Sequence, residues 1–489
     1  MQFVGWMYDI GREQSPREDA LRVMLERSLM AGYNAVGFYL EHRYAYPSAP
    51  WAADEGCLTP ELVRKLSAEF RPRGLRVIPF LNVLGHMEGF IRSEGGQWLG
   101  EGPSTGSAQM CPSRQECIDF GRKLITDALD AFEDEWMHLG GDETNQLGQC
   151  EICADRATKI GKAGIYASYF APLCEWVVSL GKRPCLWGDM LIEHPDVLVR
   201  LPKETIMFDW HYGERPYDST KMFRDAGFDV VCCPAVRSYD SFFCHLNETR
   251  ENIDQHAEDA EKLRVLGVLV TTWEFSYFTN YASTLPIIYS AGRRLALGEN
   301  WHTALAAEGG EAYAEMATAM GIEAEDESPF LAWPGWRRLR QSFVLSQNPF
   351  FLWKEWRDEV CGEVGDKLLA ICARFAGEYP ADFLRISIDW VRGAERAYKA
   401  YALRETEEAC ARLRRLAPLF DDLHRWMAHF AALGGSQADV GRVALLRRRL
   451  HDAIVAIDKL DNGYLPAFET ITHPAYVPGD QAAWRTGQY

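Results

Sequence analysis

Long hydrophobic runs are missing from this sequence of 489 residues. Its apolar stretches are shorter than the run of about 20 residues that a membrane-spanning helix needs. No basic segment followed by an apolar core opens the chain, as a secretory signal would require. We therefore expect a cytoplasmic protein without a membrane partner.

Positive charge is also scarce. Lys and Arg number 52 against 70 Asp and Glu, which leaves a formal net charge of −18 at pH 7. Nucleic acids and anionic membrane surfaces are bound mainly through basic patches, so this balance argues against both as the main partner. A neutral or cationic ligand fits the charge better.

The cysteines do not form the pattern of a disulfide framework. There are 13, an odd number, and most lie inside apolar segments, which is typical of reduced thiols in a core. Cys150 and Cys153 have half of the spacing of a zinc site, and Cys111 or Cys57 could join them in space. Because the second half of the motif is missing, we predict plain thiols, no metal and no cofactor.

The chain does contain enough apolar sequence for a large core, with 47% hydrophobic and 25% charged residues. Short β-rich runs alternate with amphipathic helical segments, which is the pattern of a parallel sheet wrapped by helices. The predicted strands are residues 3–10, 35–41, 76–83, 136–141, 184–188, 205–210, 229–234 and 268–273. Eight strands close a TIM barrel, so the sequence predicts a (β/α)8 barrel over residues 1–300.

Helices are predicted between these strands, one of them with Thr59 as N-cap and Pro60 in its first turn. The others are residues 17–32, 115–132, 164–180, 252–266 and 285–297. After about residue 300 the strand pattern stops, and apolar residues recur at helical spacing. Residues 301–489 are therefore predicted to form a C-terminal α-helical domain. Its simplest role is a scaffold, although it could also supply a wall of the site or a dimer interface.

The segment around Asp142 and Glu143 carries the prediction of catalysis. A strand-like apolar run breaks at Gly140 and Gly141 and is followed at once by these two carboxylates. Glycine permits unusual backbone angles, and neighbouring side chains can reach one ligand where a strand yields to a loop. Different surroundings could then keep one carboxyl protonated while the other stays ionised. A solvated loop and a buried pair that closes the barrel are the alternatives.

Tryptophan recurs at the carboxyl ends of predicted strands, where TIM barrels carry their active sites. Trp187, Trp210 and Trp273 stand at three of these ends, beside Asp, Glu, Arg and His residues. Aromatic faces stack on ligand rings, and the polar neighbours can bind several hydroxyl groups. Each tryptophan alone is more simply a core residue, but their recurrence beside carboxylates favours a sugar site.

Residues 138–143, His-Leu-Gly-Gly-Asp-Glu, resemble the signature of glycoside hydrolase family 20, the β-N-acetylhexosaminidases. Further segments resemble strand motifs of that family in the same order: Asp9-Ile10-Gly11-Arg12, Leu84-Gly85-His86, Leu186-Trp187-Gly188-Asp189 and Asp209-Trp210. The resemblance covers about residues 3–297. It implies a TIM barrel, here of the type that is followed by helices.

The resemblance also implies exo-acting, retaining hydrolysis of terminal β-linked GlcNAc or GalNAc, with the 2-acetamido oxygen of the substrate as nucleophile. Glu143 would protonate the leaving oxygen and later activate water, a role that suits a raised pKa. Asp142 would orient the acetamido group and stabilise the oxazolinium-like intermediate. The expected partner is an oligosaccharide or glycoconjugate that ends in N-acetylhexosamine.

Substrate-binding roles follow from the same resemblance. Arg12 would bind O3 and O4 of the sugar, and His86 would orient Glu143. The aromatic enclosure of the sugar ring and its acetamido methyl group would be formed by Trp187, Trp210 and Trp273.

Two further ligands are candidates near the seventh and eighth strands. Tyr239 is the candidate donor to the acetamido oxygen, with Tyr212 as its rival, and Glu274 is the candidate ligand of O4 or O6. The second strand offers Glu41-His42 where many relatives have two acidic residues, so the partner of His86 stays open.

Two other functions stay open at this point. A barrel enzyme could hold a divalent metal with Asp142, Glu143 and further carboxylates, but this leaves the tryptophans unexplained. A sugar-binding protein could have kept the pocket and lost turnover, although the presence of Asp142, Glu143 and His86 argues against that.

Overall fold

The apolar runs of the sequence form parallel strands in a computed structural model, which describes residues 1–12, 14–102, 106–239, 241–273, 278, 281–331, 349–350 and 354–459. Valine, isoleucine and aromatic residues are frequent in these strands, and such side chains favour a pleated, buried backbone. The strands are β1 (Phe3–Asp9), β2 (Ala35–Tyr39), β3 (Arg76–Phe80), β4 (Trp136–His138), β5 (Arg183–Trp187), β6 (Ile206–Trp210), β7 (Asp229–Cys233), β8 (Ala235–Val236) and β9 (Gly267–Thr272).

Parallel pairing closes these strands into a barrel. Strands β1 to β7 pair in chain order, β9 follows β7, and β9 pairs back to β1. In the closing pair, Phe3 lies opposite Gly267 and Trp6 opposite Val270. The short strand β8 pairs beside β9, so the closed circuit has eight strands. The predicted TIM barrel is confirmed.

The barrel interior is filled by large side chains. Strands β1, β2 and β9 are buried along their whole length, as expected of parallel strands that are covered on both faces. The Trp136 ring lies 4.8 Å from Phe3 and 6.0 Å from Phe208, which links β1, β4 and β6. A Cβ at Gly37 would lie 2.4 Å from the Phe80 ring, so glycine on β2 leaves space for that ring.

Helices occupy the six predicted positions between the strands, and three further helices, Glu88–Arg92, Asp189–Glu193 and Tyr217–Asp225, were not predicted. They are α1 (Glu18–Met30), α2 (Pro60–Phe70), α3 (Glu88–Arg92), α4 (Gln115–Leu129), α5 (Glu151–Ser179), α6 (Asp189–Glu193), α7 (Tyr217–Asp225), α8 (Leu246–Leu263) and α9 (Tyr281–Gly292). Thr59 accepts a hydrogen bond of 3.2 Å from the amide of Leu62, which confirms it as the N-cap of α2.

Helix α5 begins well before the predicted start at Gly164. Its first part ends near Gly161, whose φ of 69° and ψ of 169° are not helical. Before Gly164 its buried residues are limited to Cys153, so the apolar periodicity that marks a helix is weak there.

Beyond residue 300 the described chain is helical, which confirms the predicted C-terminal helical region. The helices are α10 (Trp301–Gly309), α11 (Glu311–Thr318), α12 (Ala324–Glu327), α13 (Lys354–Val360), α14 (Glu363–Arg374), α15 (Tyr379–Ala402), α16 (Thr406–Arg414), α17 (Ala417–Ala432) and α18 (Gln437–Lys459). Of all the helices described, none combines the length and the apolar character needed to cross a membrane.

The chain divides into two compact units. The first is built from Met1–Arg237, Glu248–Trp273 and Leu285–Gly310, and the second from Ser238–Asn247, Glu274–Thr284 and Glu311–Tyr489. Within the second unit, Asp439 accepts a hydrogen bond of 3.1 Å from the amide of Phe278, and the hydroxyl of Tyr379 donates to the Phe278 carbonyl. Distant segments therefore share one core. The domain boundary at residue 300 stays a prediction.

Candidate active site

The loop after β4 brings the two predicted catalytic carboxylates to the barrel end. Beyond His138, Gly140 and Gly141 adopt φ angles of 76° and 97°. At Gly141 a Cβ would lie 2.6 Å from the hydroxyl of Tyr166, so both the backbone angle and the space require glycine. The Gly-Gly pair therefore forms the sharp turn that delivers the adjacent carboxylates.

The backbone of Glu143 is left-handed, with φ at 48°. A residue other than glycine adopts this conformation at a cost that surrounding contacts must offset. Here the amide of Glu143 donates a hydrogen bond of 2.9 Å to Oδ2 of Asp189, just after β5. Burial and then the charge of Asp142 raise the pKa of Asp189 to about 7. Asp189 thus joins the catalytic loop to the next strand.

His86 lies between the two carboxylates. Its Nε2 is 3.3 Å from Oδ2 of Asp142 and 3.4 Å from Oε2 of Glu143. Its Nδ1 is 3.9 Å from Oε1 of Glu88. Gly85 permits this approach, since a Cβ there would lie 2.5 Å from the carbonyl oxygen of Asp142. The partner of His86 that the sequence left open is therefore Glu88 rather than Glu41.

Charge on His86 controls the neighbouring carboxyls. Burial alone would lower the pKa of His86, but Tyr39 and Asp142 raise it well above its usual value. The hydrogen bond from His86 lowers the pKa of Glu143, against the effect of burial. The expected raised pKa of Glu143 is therefore wrong for this arrangement, because a positive neighbour favours the carboxylate. Burial likewise opposes the shift of Glu88, yet His86 lowers its pKa to about 2.

Asp142 is more enclosed than Glu143. The side chain of Asp142 is 8% exposed and that of Glu143 55%. Oδ1 of Asp142 is buried and has no hydrogen-bond partner among the residues that the structure describes. One oxygen of Asp142 thus faces His86, and the other is an unused acceptor.

Arg12 completes the polar side of the site. Its Nη1 lies 3.1 Å from Oε1 of Glu41 and 3.4 Å from Oδ2 of Asp9 at the end of β1. Its Cζ lies 5.0 Å from the ring centre of Tyr39 and 5.1 Å from that of Trp273, close enough for cation–π attraction. Burial raises the pKa of Glu41 to about 7, although Arg12 opposes the shift. The guanidinium is therefore held by charge and by two aromatic faces.

The three predicted tryptophans belong to one aromatic group. The rings of Trp187 and Trp273 are 6.3 Å apart, and those of Trp210 and Tyr212 are 5.0 Å apart. The indole N–H of Trp273 donates a hydrogen bond of 2.8 Å to the hydroxyl of Tyr212. Tyr39, which the predicted site omitted, meets Trp273 edge to face at 4.9 Å.

The described contacts do not test two of the predicted ligands, Tyr239 and Glu274. Tyr239 is half-buried and belongs to the second compact unit, whereas the residues above belong to the first. Glu274 lies outside the described residues. Tyr212, the rival of Tyr239, contacts both Trp210 and Trp273. The roles of Tyr239 and Glu274 stay predictions.

This geometry supports acid–base chemistry on a ring-shaped ligand. It combines an exposed carboxyl, a buried carboxylate with a free acceptor, and a histidine in contact with both. Aromatic faces and a guanidinium flank these groups. Such a set can orient a hydroxylated ring and move a proton at its edge.

Comparison with known proteins gives a consistent result. The sequence model of "Glycosyl hydrolase family 20, catalytic domain" matches residues 34–299. A beta-hexosaminidase of Akkermansia muciniphila is 24% identical over 203 residues, which is 38% of this chain and 39% of that protein. Beta-hexosaminidase 1 of Coccidioides posadasii is 23% identical over 201 residues, which is 36% of this chain and 32% of that protein. The chain therefore spans less than two fifths of the length of these relatives.

Solved structures agree in fold. The β-N-acetylhexosaminidase of Bacteroides fragilis superimposes with a TM-score of 0.50 and 16% identity, over 60% of this chain and 65% of that one. The exo-β-N-acetylglucosaminidase of Vibrio harveyi, solved with N-acetylglucosamine, gives 0.51 and 16%, over 64% and 57%. At this identity the likeness concerns the fold alone. Because the family model covers more than half of the sequence and includes the loop of Asp142 and Glu143, the chain belongs to glycosyl hydrolase family 20.

Proposed function

We propose that this protein is an exo-acting β-N-acetylhexosaminidase that removes terminal β-linked GlcNAc or GalNAc with retention of configuration. The observation that carries the proposal is the different state of two adjacent carboxyls. Asp142 is buried with an unused acceptor, and Glu143 is exposed beside a proton donor. Family membership and the names of the relatives support the same activity.

Asp142 would bind the acetamido group of the substrate. Its unused Oδ1 is suited to accept the acetamido N–H, and this contact would turn the acetamido oxygen towards C1. As that oxygen forms a bond to C1, positive charge develops on the acetamido group, and the carboxylate stabilises it. A nucleophile that is already held in position also avoids most of the entropy cost of a second reactant.

Glu143 would act as the acid in the first step and as the base in the second. Its proton goes to the glycosidic oxygen while the C1–O bond breaks and the bond from the acetamido oxygen to C1 forms. In the second step water attacks C1, Glu143 accepts a proton from that water, and the oxazolinium ring opens. Bound sugar would cover the exposed carboxyl of Glu143, and loss of water raises its pKa towards the value that an acid needs.

Sugar recognition would fall to Arg12 and the aromatic group. Arg12 offers donors to O3 and O4, because its guanidinium is already fixed by Glu41, Tyr39 and Trp273. The apolar faces of Trp187, Trp210 and Trp273 suit the ring and the acetamido methyl group.

The test is Glu143→Gln compared with wild type. We expect loss of hydrolysis of β-N-acetylglucosaminides while binding of GlcNAc, measured by calorimetry, is kept. A wild-type protein that binds GlcNAc without hydrolysis would support the sugar-binding alternative instead. Hydrolysis that is lost in EDTA and restored by Mg²⁺ or Mn²⁺, but not by Zn²⁺, would support the two-carboxylate, metal-dependent alternative.

A cytoplasmic location is part of the proposal. Its support is the set of free cysteines, 12 of them buried or half-buried and Cys361 exposed, which suits a reducing compartment. Fractionation of cells that express the full-length gene tests it, and recovery outside the cytoplasm would contradict it.

A further inference from the structure

Three cysteines and one glutamate meet beside the catalytic loop. They are Glu101, Cys111, Cys150 and Cys153, and one ligand atom from each lies within 4.8 Å of all the others. They come from separate parts of the sequence, because Glu101 and Cys111 precede α4 and the other two stand at the start of α5. Cys57, the other thiol that the sequence offered, is not part of this group.

The sulfur positions fit a tetrahedral metal site. Sγ of Cys111 lies 3.6 Å from Sγ of Cys150 and 3.7 Å from Sγ of Cys153. Around an ion with metal–sulfur bonds of about 2.3 Å, the edges of a tetrahedron measure about 3.8 Å. Two of the three sulfur–sulfur separations therefore match those around one ion, and the third lies within 4.8 Å.

Glu101 supplies independent evidence for a ligand. Glu101 is 1% exposed. Its Oε1 accepts hydrogen bonds from the amides of Gly148 and Gln149 at 3.1 Å and from that of Cys150 at 3.4 Å. Oε2 is buried and has no hydrogen-bond partner in the described part of the chain. A buried, unpaired carboxylate oxygen is costly, and a cation removes that cost.

The surrounding contacts resemble the outer shell of a metal site. Sγ of Cys150 accepts the amide of Cys153 at 3.4 Å, and Ser113 lies 2.9 Å from Sγ of Cys153. Arg156 in turn donates a hydrogen bond of 2.7 Å to Ser113. Such contacts orient ligands and stabilise thiolate charge.

We propose that Glu101, Cys111, Cys150 and Cys153 bind one zinc ion. Thiolate and carboxylate ligands in a tetrahedral set favour zinc among the common divalent ions. Four protein ligands leave no open position for water, so the ion is structural rather than catalytic. Each thiol that becomes a ligand releases its proton on binding. The sequence predicted plain thiols, because Glu101 and Cys111 have no regular spacing from Cys150 and Cys153.

The ion would fasten the loop that begins at Glu143. That loop ends at Cys150, and it also contacts the segment before α4, where Gln146 accepts the amide of Ala108 at 3.0 Å and donates to the Gly106 carbonyl at 3.1 Å. Zinc would cross-link the same two segments a few residues further on. Its effect is therefore on loop stability, independent of which sugar the site binds.

Metal analysis of the purified, reduced protein tests the proposal. We expect about one zinc per chain in wild type after dialysis, and loss of most of that zinc in Cys111→Ser and Cys153→Ser. Glu101→Gln keeps the acceptor for the loop amides but removes the anionic ligand, so zinc affinity should fall. Cys117→Ser is the matched control, because Cys117 is buried nearby, contacts the Leu99 carbonyl and lies outside the group. Zinc loss in the control equal to that in the others would overturn the assignment.

A second test uses wild-type protein from which all metal has been removed, and measures its uptake of Co²⁺. This test does not depend on whether the variants fold. The proposal predicts one tightly bound Co²⁺ with a tetrahedral d–d spectrum, a thiolate-to-metal charge-transfer band and release by added zinc. Failure of reduced, stripped protein to take up either ion would overturn the proposal. A Cys111–Cys150 disulfide found by mass spectrometry in the native protein would overturn it as well. Neither readout depends on hydrolysis, so the proposed activity and the zinc site can fail separately.

Discussion

The amide of Glu143 lies 2.9 Å from Oδ2 of Asp189, which ties the proposed acid to the end of β5. This hydrogen bond stabilises the backbone of Glu143, whose φ of 48° is unfavourable for residues other than glycine. The backbone of Glu143 and the side chain of Asp189 are thus linked, although the two residues are 46 positions apart in the sequence. The position of Glu143 therefore depends on its hydrogen bond to Asp189.

Replacement of Asp189 by alanine should lower kcat/KM by about 10- to 100-fold, since a hydrogen bond to a charged group contributes roughly 1.5–3 kcal/mol. Asp189→Asn keeps an oxygen acceptor and should lose less. Steady-state kinetics on a nitrophenyl glycoside of GlcNAc measure both. Equal losses in the two variants would show that the charge of Asp189, rather than its hydrogen bond, is what matters.

The pH profile should respond to His86. Protonated His86 lowers the pKa of Glu143, so removal of that charge raises it. Activity that needs a protonated Glu143 falls as pH rises through the pKa of Glu143, and the alkaline limb of kcat/KM should therefore move to higher pH in His86→Gln. An unchanged limb, with reduced kcat alone, would assign that limb to another group.

Most of the barrel could be predicted because its strands are apolar on both faces and end at polar residues. The predicted strand at 268–273 and the observed β9, Gly267–Thr272, differ by one residue at each end. The predicted helix at 164–180 is shorter than the observed α5, because the first part of α5 is mostly exposed and lacks an apolar stripe. A hydrophobic pattern indicates which side chains are buried, so it does not predict helices or strands that are mostly exposed.

The site was less predictable than the fold. Asp142, Glu143, His86, Arg12, Trp187, Trp210 and Asp189 stand in short motifs, whereas Glu88 and Tyr39 join the site through contacts that no motif contains. The backbone of His86 is left-handed, with φ at 51°, and Oε1 of Glu88 lies 3.9 Å from its Nδ1. The pKa of Glu143 was expected to be raised because of its role as the acid, but the hydrogen bond from His86 lowers it. Sequence motifs can identify the residues of a site. The pKa values of those residues depend on distances between side chains, which the motifs do not contain.

Arg12→Lys should raise KM by about tenfold with a smaller change in kcat. Lysine keeps the positive charge beside Glu41 but lacks the planar fork that contacts two hydroxyls and stacks on Tyr39 and Trp273. Such a loss corresponds to roughly 1.4 kcal/mol of binding. Thermal denaturation is the control. A large fall in Tm would indicate that Arg12 mainly offsets buried negative charge.

Gly37→Ala should destabilise the barrel by about 1–3 kcal/mol, because the new methyl group would overlap the Phe80 ring in a packed interior. Urea denaturation measures the change. Gly213→Ala is the matched control, since a Cβ at Gly213 would have no atom within 4 Å. Equal stability of the two variants would mean that Phe80 can move without cost.

The role of the substrate's acetamido group is tested most directly by the series of nitrophenyl β-glucosaminides with acetyl, monofluoroacetyl, difluoroacetyl and trifluoroacetyl groups, beside the 2-hydroxy glucoside. Fluorine weakens the acetamido oxygen as a nucleophile and leaves the rest of the sugar nearly unchanged. Substrate assistance through Asp142 predicts that log kcat/KM falls steadily along the series, that the glucoside is not hydrolysed, and that a thiazoline analogue inhibits. Equal rates along the series, or equal turnover of the glucoside, would contradict the role assigned to Asp142.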